Sequence, residues 1–187
     1  IDAGRIPGAV ALVAAGGEVQ HFEAQGRLDP AGERAMPQDA VFRMYSMTKP
    51  IVSLAALMLA EQGRLQLVDP VAQYLPEFGE TPVGVEQGGK QLLERQKRPP
   101  TVHDLLRHTA GLTYEFVGNG PVHRQYQEAD LADRSRSNRQ FCQALARLPL
   151  VAQPGTLWEY SRATDVLGAV LEVVSGQPLG ALLQQLI

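Results

Sequence analysis

The 187-residue sequence is poor in several residue types and patterns that would point to particular classes of protein. Its single cysteine, Cys142, excludes an internal disulfide. The longest apolar stretch, Ile51 to Ala60, is too short to span a membrane as a helix. The net charge is −3, and no basic patch is dense enough to indicate nucleic acid as a partner. These features leave an ordinary globular composition, with enough apolar residues for one solid core.

Patterns that bind metals or cofactors are also lacking. His103 and His108 are five positions apart, a spacing that does not place two ligands on one face of a helix. There is no H-E-x-x-H motif and no pair of cysteines. Glycine-rich pieces such as residues 118–120 lack the strand–loop–helix context of a phosphate site. We therefore expect no metal and no cofactor, and interpret both histidines as capping or packing residues.

Lysine is scarce, with 3 lysines against 14 arginines, and one of the three follows a serine by three positions. The spacing of Ser46 and Lys49 puts both side chains on one face of a helix, about a turn apart. Pro50 is tolerated only in a first helical turn, so the predicted helix over residues 46–62 must begin close to Ser46. At that entry, unpaired N–H groups and the helix dipole favour developing negative charge.

This S-x-x-K arrangement is typical of a serine nucleophile whose base is a lysine. An arginine could not replace Lys49 as a base, because arginine does not deprotonate in proteins. Burial would lower the pKa of Lys49 and make it a usable base near neutral pH. Lys49→Arg is expected to lose nearly as much activity as Lys49→Ala, because the charge and bulk survive but the basicity does not. The alternative, in which Ser46 caps the helix and Lys49 only covers apolar surface, stays open on these residues alone.

A second candidate segment, residues 158–162, follows a tight turn at residues 153–156 and precedes a helix. A phenol at Tyr160 could relay a proton between Lys49, Ser46 and a leaving group. The local residues by themselves favour the plainer interpretation, in which Tyr160 is half buried and packs its ring.

The periodicity predicts an α+β fold in which strands come first and helices follow. Residues 7–14, as a buried strand, and residues 18–24 form a predicted β-hairpin. Residues 79–100 are predicted to be a loop, and no strand is expected beyond residue 40. The predicted later helices are residues 71–75 capped by Asp69, 102–107 started by a Thr101 capping box, 122–133, 139–148, 164–175, and one beginning at Pro178.

Taken in order, these segments resemble the serine β-lactamase and penicillin-binding-protein superfamily. Within it they look most like the class C β-lactamase-like branch and the related family VIII carboxylesterases. The resemblance is carried by four segments: residues 42–50 for the S-x-x-K motif, residues 65–76, residues 101–112 for T-x-x-x-L-L-x-H-T-x-G-L, and Tyr160-Ser161 for Y-x-N. It spans residues 5–180.

The resemblance implies a β-lactamase/transpeptidase-like fold, with an antiparallel sheet flanked by helices and an all-α region. Residues 1–64 and 153–187 would belong to the α/β domain, and residues 65–152 to the helical region. The family domain is about twice this length, so the chain is expected to be an N-terminal fragment whose sheet is incomplete. A hairpin alone is marginal and needs further strands, which would come from sequence beyond Ile187 or from another chain.

The resemblance also implies a mechanism. Ser46 would attack an ester or amide carbonyl, Lys49 and Tyr160 would share the acid and base work, and water would hydrolyse the acyl-enzyme. The Ser46 N–H would supply half of an oxyanion hole. The family's other half lies on a strand with a K-T-G-like motif, and none follows Tyr160 up to Ile187. The expected substrate-binding residues are Trp158, Ser161 and Arg162.

One departure from the family pattern bears on the substrate. Arg162 stands where Y-x-N has the asparagine that helps to bind the substrate amide. This favours a carboxylesterase with a small-molecule ester over a β-lactamase or D-Ala-D-Ala carboxypeptidase with a lactam or peptide. An inactive, truncated binding protein is the alternative from another class.

Overall fold

A computed structural model describes residues 1, 3–87 and 90–187, apart from the side chain of Lys90. The described residues divide into two compact units, residues 1–45 and residues 46–187.

The first unit is built on an antiparallel hairpin of β1, Gly8–Ala15, and β2, Glu18–Gly26. The strands are joined by two glycines with φ of 61° and 83°, a region that favours glycine. This confirms the predicted hairpin. The predicted burial of its first strand is wrong, since Leu12 and Val13 are 55% and 54% exposed. Among the described residues β1 pairs only with β2, so the sheet has no third strand to extend it.

The second unit begins at Ser46, within the 3₁₀ turn Tyr45–Met47 that leads into α1, Thr48–Glu61. Helix α1 therefore starts two residues later than predicted, and Pro50 is its third residue, within the first turn as expected. Its buried face is formed by Val52, Ala55, Ala56 and Leu59. The opposite face is not buried, which differs from the prediction, because Leu54 and Leu57 are 46% and 47% exposed.

The core of the second unit surrounds α5, Ala163–Ser175. Helix α5 packs against α1, α2 (Val102–Leu106), α4 (Asn138–Leu145) and α6 (Leu179–Leu186), and α3 (Pro121–Glu128) contributes buried residues to the same core. Helix α5 is followed by Gly176, whose φ of 74° is the left-handed conformation typical of the residue that closes a helix. The predicted α5 boundaries are confirmed to within one residue.

A second hairpin was not predicted. Strands β3, Val83–Gln87, and β4, Lys90–Glu94, pair in antiparallel fashion inside the stretch predicted to be a loop over residues 79–100. The expectation of no strand beyond residue 40 is therefore wrong. Both strands are only five residues long, and β3 is also bridged in parallel to Leu150, a partner distant in sequence.

Local helix signals were predicted with mixed success. The Thr101 capping box at α2 is present, with the Thr101 side chain accepting from the Asp104 N–H and the Asp104 carboxylate accepting from the Thr101 N–H. The predicted helix at residues 71–75 is a 3₁₀ turn, Val71–Gln73, and Asp69 does not cap it. The Asp69 carboxylate instead accepts hydrogen bonds from the Gln66 N–H and the Tyr74 hydroxyl. Helices α3 and α4 end earlier than predicted.

In the part of the chain that the structure describes, no single helix is both long and apolar enough to cross a membrane. Only α5 and α6 taken together have the length and composition, and the two are bent by 78° relative to each other. Within the same residues, no group of three or more His, Cys, Asp or Glu side chains is placed to hold a metal ion.

Candidate active site

Ser46 lies at the entrance to α1, in the 3₁₀ turn. The residue before it, Tyr45, has a φ of 47°, which places a non-glycine residue in the left-handed region. That conformation costs an L-residue roughly 1–2 kcal/mol, and such strain is often found at functional sites. The turn presents the Ser46 side chain at the surface of the second unit.

The second unit brings three of the predicted residues together. The Tyr160 hydroxyl is 2.6 Å from Ser46 Oγ and donates a hydrogen bond to it. Lys49 Nζ donates to the same oxygen over 3.2 Å. Lys49 Nζ also lies 4.8 Å from the centre of the Tyr160 ring. Ser46 Oγ is therefore within hydrogen-bond reach of both a phenol and an amine.

The electrostatics of the site differ from the prediction for Lys49. Burial alone would lower the pKa of Lys49, but hydrogen bonds to the phenols of Tyr160 and Tyr114 outweigh it and leave the pKa raised. Hydrogen bonds with Lys49 and Ser46 lower the pKa of Tyr160. The predicted lowering of the Lys49 pKa is therefore wrong, because its charged form is favoured. The role of Lys49 as the base stays a prediction. The group whose deprotonation becomes easier is Tyr160.

The residues flanking Tyr160 have different surroundings. Trp158 is 65% exposed. Ser161 is buried, and its Oγ is 3.2 Å from Nδ1 of His108. The Arg162 guanidinium forms an ion pair with Glu115 and lies over the ring of Tyr114. Substrate binding by Trp158, Ser161 and Arg162 stays a prediction, and Trp158 is the most exposed of the three.

Two aromatic residues near Ser46 were not assigned to the site from the sequence. The Tyr114 ring centre is 5.3 Å from that of Tyr160 and 5.6 Å from Lys49 Nζ. His108 was interpreted as a capping or packing residue, yet its ring centre is 5.1 Å from that of Tyr160. Tyr114 lies in the irregular stretch after residue 111, where no helix or strand periodicity could have indicated its position.

The turn before Tyr160 is tied to the α2 segment. Gly155 has a φ of 85°, and its N–H donates to the carbonyl of Thr109 over 2.7 Å. The guanidinium of Arg98 lies so close to Gly155 that a β-carbon would collide with it. Arg98 in turn pairs with both carboxylate oxygens of Asp104. The turn therefore favours glycine for its backbone, and a β-carbon at this position would make the Arg98 side chain shift.

Comparison with known proteins identifies the family. The family described as Beta-lactamase matches residues 1–187. The chain belongs to this beta-lactamase family. Esterase EstB of Burkholderia gladioli is 42% identical over 185 residues, which cover 98% of this chain and 45% of that protein. Lovastatin esterase of Penicillium rubens is 31% identical over 190 residues, covering 99% of this chain and 47% of that protein.

A solved member of the same fold agrees with this assignment. The structure of EstCE1, described as a hydrolase with promiscuous acyltransferase activity, superposes with a TM-score of 0.80 at 37% identity. It covers 100% of this chain and 47% of its own. The chain thus has the β-lactamase-like fold, with helices and small antiparallel sheets, and spans less than half the length of these relatives. The predicted resemblance to family VIII esterases is confirmed.

Proposed function

We propose that the protein is a serine hydrolase that cleaves carboxylic esters of small molecules through an acyl-enzyme. The observation that carries the proposal is the placement of Ser46 Oγ at 2.6 Å from the Tyr160 hydroxyl and 3.2 Å from Lys49 Nζ. A serine is a weak nucleophile until a neighbouring base takes its proton, and the proposed base is Tyr160. The names of the relatives Esterase EstB and lovastatin esterase support an ester as the substrate.

The proton transfers follow from the pKa directions at the site. Tyr160, as phenolate beside the Lys49 ammonium, removes the proton from Ser46 Oγ, which attacks the ester carbonyl carbon. Tyr160 then returns the proton to the alkoxide leaving group as the bond between the acyl carbon and the alkoxide oxygen breaks. Water attacks the acyl-enzyme with Tyr160 again as base, the acid departs, and Ser46 is reprotonated. The Ser46 N–H at the helix entry is proposed to stabilise the oxyanion.

The surroundings of Arg162 favour an ester over an amide substrate. Its guanidinium is held by Glu115 and stacks over Tyr114, so this position has no side-chain amide to pair with a substrate amide. A β-lactamase, a D-Ala-D-Ala carboxypeptidase and a non-catalytic binding protein are the competing outcomes of the experiment.

The experiment measures hydrolysis of p-nitrophenyl butyrate by the wild type, Ser46→Ala and a control variant, Ser53→Ala, on the same helix. We expect turnover by the wild type and by Ser53→Ala, and only background hydrolysis by Ser46→Ala. Equal turnover by the wild type and Ser46→Ala would overturn the proposal. Nitrocefin turnover well above ester turnover would indicate a lactamase. Failure of a fluorescent fluorophosphonate to label the wild type would indicate a binding protein.

A further inference from the structure

One residue outside the proposed catalytic group contacts four consecutive residues of the segment that carries Tyr160. The His108 carbonyl accepts the N–H of Glu159 over 2.9 Å. His108 Nδ1 is 3.2 Å from Ser161 Oγ. The His108 ring lies 5.1 Å from the Tyr160 ring, and 6.4 Å edge-on from the Trp158 ring at 70°. The backbone and the ring of His108 therefore both contact residues 158–161.

The backbone of His108 is held in an unfavourable conformation. Its φ of 57° lies in the left-handed region directly after the C-terminal end of α2. Glycine or asparagine would meet that backbone requirement at lower cost, so the backbone alone does not explain a histidine there. Strained residues persist where the surrounding structure over-determines them, and the four contacts of His108 provide that constraint.

The chemistry of the ring suits a support rather than a second base. Burial, and then the positive charge of Lys49, lower the pKa of His108. A neutral imidazole adds no charge beside Lys49, so it does not disturb the ion pair proposed between Lys49 and the Tyr160 phenolate. Among the described residues, the His108 ring has its hydrogen-bond contact with Ser161 and none with Ser46, so it acts only through the segment it contacts.

We propose that His108 is the positioning residue of Tyr160, holding its phenol within hydrogen-bond distance of Ser46 Oγ and beside Lys49. The catalytic consequence rests on the proposed function, whereas the placement of the phenol has a readout that needs no turnover. Without the imidazole, the Tyr160 ring loses its neighbour on one side and Ser161 loses its buried partner. A misplacement of about 1 Å at a reacting group can cost on the order of 10²-fold in rate.

The first measurement is a double-mutant cycle of His108→Asn and Tyr160→Phe on p-nitrophenyl butyrate hydrolysis. Asparagine tolerates the left-handed backbone but lacks the ring. We expect His108→Asn to lower kcat by roughly 10- to 100-fold with little change in KM, and to cost almost nothing further in the Tyr160→Phe background. The control is His103→Ala, an exposed histidine of the same segment, which should keep wild-type kcat.

The second measurement does not depend on activity. The tyrosinate absorbance difference between wild type and Tyr160→Phe isolates the titration of this one phenol among the 5 tyrosines. We expect its midpoint to lie below the ordinary tyrosine value of about 10 in wild type, and to move up toward that value in the His108→Asn background.

The outcomes separate the two proposals. A Tyr160 midpoint that His108→Asn leaves unchanged, or additive losses in the cycle, would overturn the positioning role. If the wild type does not hydrolyse the ester but the midpoint still moves with His108→Asn, the proposed function fails while the positioning role stands. A His108→Asn protein with a lowered unfolding midpoint is compared through the titration, at a temperature where it remains folded.

Discussion

At the scale of single residues, the main consequence concerns where the proton lies around Ser46. The scarcity of lysine indicated that Lys49 has a specific role, and the sequence alone favoured a neutral base. In the structure Lys49 is close to two phenols, those of Tyr160 and Tyr114, which favour its charged form. We therefore propose that Lys49 supplies a positive charge that makes Tyr160 easier to deprotonate.

Exchanging Lys49 for arginine tests this reassignment. Lys49→Ala is expected to lower kcat/KM on the order of 10³-fold, within the usual range for losing an acid–base contribution. Lys49→Arg keeps the charge and should retain at least about tenfold more activity than Lys49→Ala, the reverse of the sequence-based expectation. The measurement is ester hydrolysis by both variants. Equal losses in the two would restore Lys49 as the base.

The pH dependence of hydrolysis should show which form of Tyr160 works. A base acts when deprotonated, so kcat/KM should rise as the pH passes upward through the Tyr160 pKa, which lies below its ordinary value of 10. It should fall again when Lys49 loses its proton, at a pKa above 10.5. The two apparent values belong to the coupled pair. The measurement is kcat/KM against pH, with the background rate of Ser46→Ala subtracted at each pH. If the rise at low pH persists in Tyr160→Phe, the assignment of this rise to Tyr160 is wrong.

The single tryptophan reports the charge of His108. Burial and the nearby Lys49 charge lower the pKa of His108 from 6.5. A protonated imidazole quenches indole fluorescence, and Trp158 lies edge-on to the His108 ring. We therefore expect fluorescence to fall as the pH drops below 6.5, through the lowered pKa, and the transition to vanish in His108→Asn. A transition that persists in this variant would come from another group.

At the scale of elements, the capping box of α2 should make the free energy of unfolding depend on pH through Asp104. Burial alone would raise the pKa of Asp104, but bonds from Arg98, Thr101 and Thr109 outweigh it and lower it to about 2. The folded pKa lies below the unfolded value of 3.8, so the stabilisation is present above that value and is lost as the pH falls through about 2.

Asp104→Asn should therefore lower the free energy of unfolding at pH 7 by about 1–3 kcal/mol, since Arg98 loses its ionised partner. Urea unfolding of the variant and the wild type should give curves that approach each other near pH 2. The control is Glu128→Gln, an exposed carboxylate at the end of α3, with no change expected. Equal destabilisation at both pH values would assign the effect to packing rather than charge.

Elements with a local cause were predictable from the sequence. Pro50 located the start of α1, Thr101 and Asp104 that of α2, and Gly176 the end of α5, because each acts within one helical turn. The β3–β4 hairpin was missed because its strands are short. In addition, β3 is bridged to Leu150, which is distant in sequence, and no local pattern predicts that pairing. Asp69 looked like a cap, but Tyr74 and the Gln66 N–H compete for its carboxylate.

The site follows the same division. Ser46 and Lys49 are three positions apart, so helix geometry alone places them together. Tyr160 is 114 positions from Ser46, and only the order of motifs along the chain indicated that it belongs to the site. Tyr114 and His108 reach the site through an irregular stretch and a left-handed residue. Neither feature has a periodic signal, so the sequence alone could not place Tyr114 or His108 next to Tyr160.

At the scale of the whole molecule, the two units should differ in protection of their backbone amides. Helix α5 is surrounded by other helices, and seven of its residues are buried. The β1–β2 hairpin is a two-stranded sheet with exposed side chains on most positions, and such hairpins are marginally stable. Hydrogen exchange followed by mass spectrometry should show slow exchange in α5 and exchange at least about tenfold faster in β1 and β2. Similar rates would contradict this contrast.

Because Ser46 and Tyr160 are far apart along the chain, the reactivity of Ser46 should also report on the progress of folding. A chain that has formed α1 alone holds Ser46 beside Lys49, but it acquires the phenol only when a loop of 114 residues has closed. Reactivity of Ser46 toward an acylating probe should therefore appear when this loop closes rather than when α1 forms. Quenched-flow labelling during refolding, set against circular dichroism, would time the two events separately.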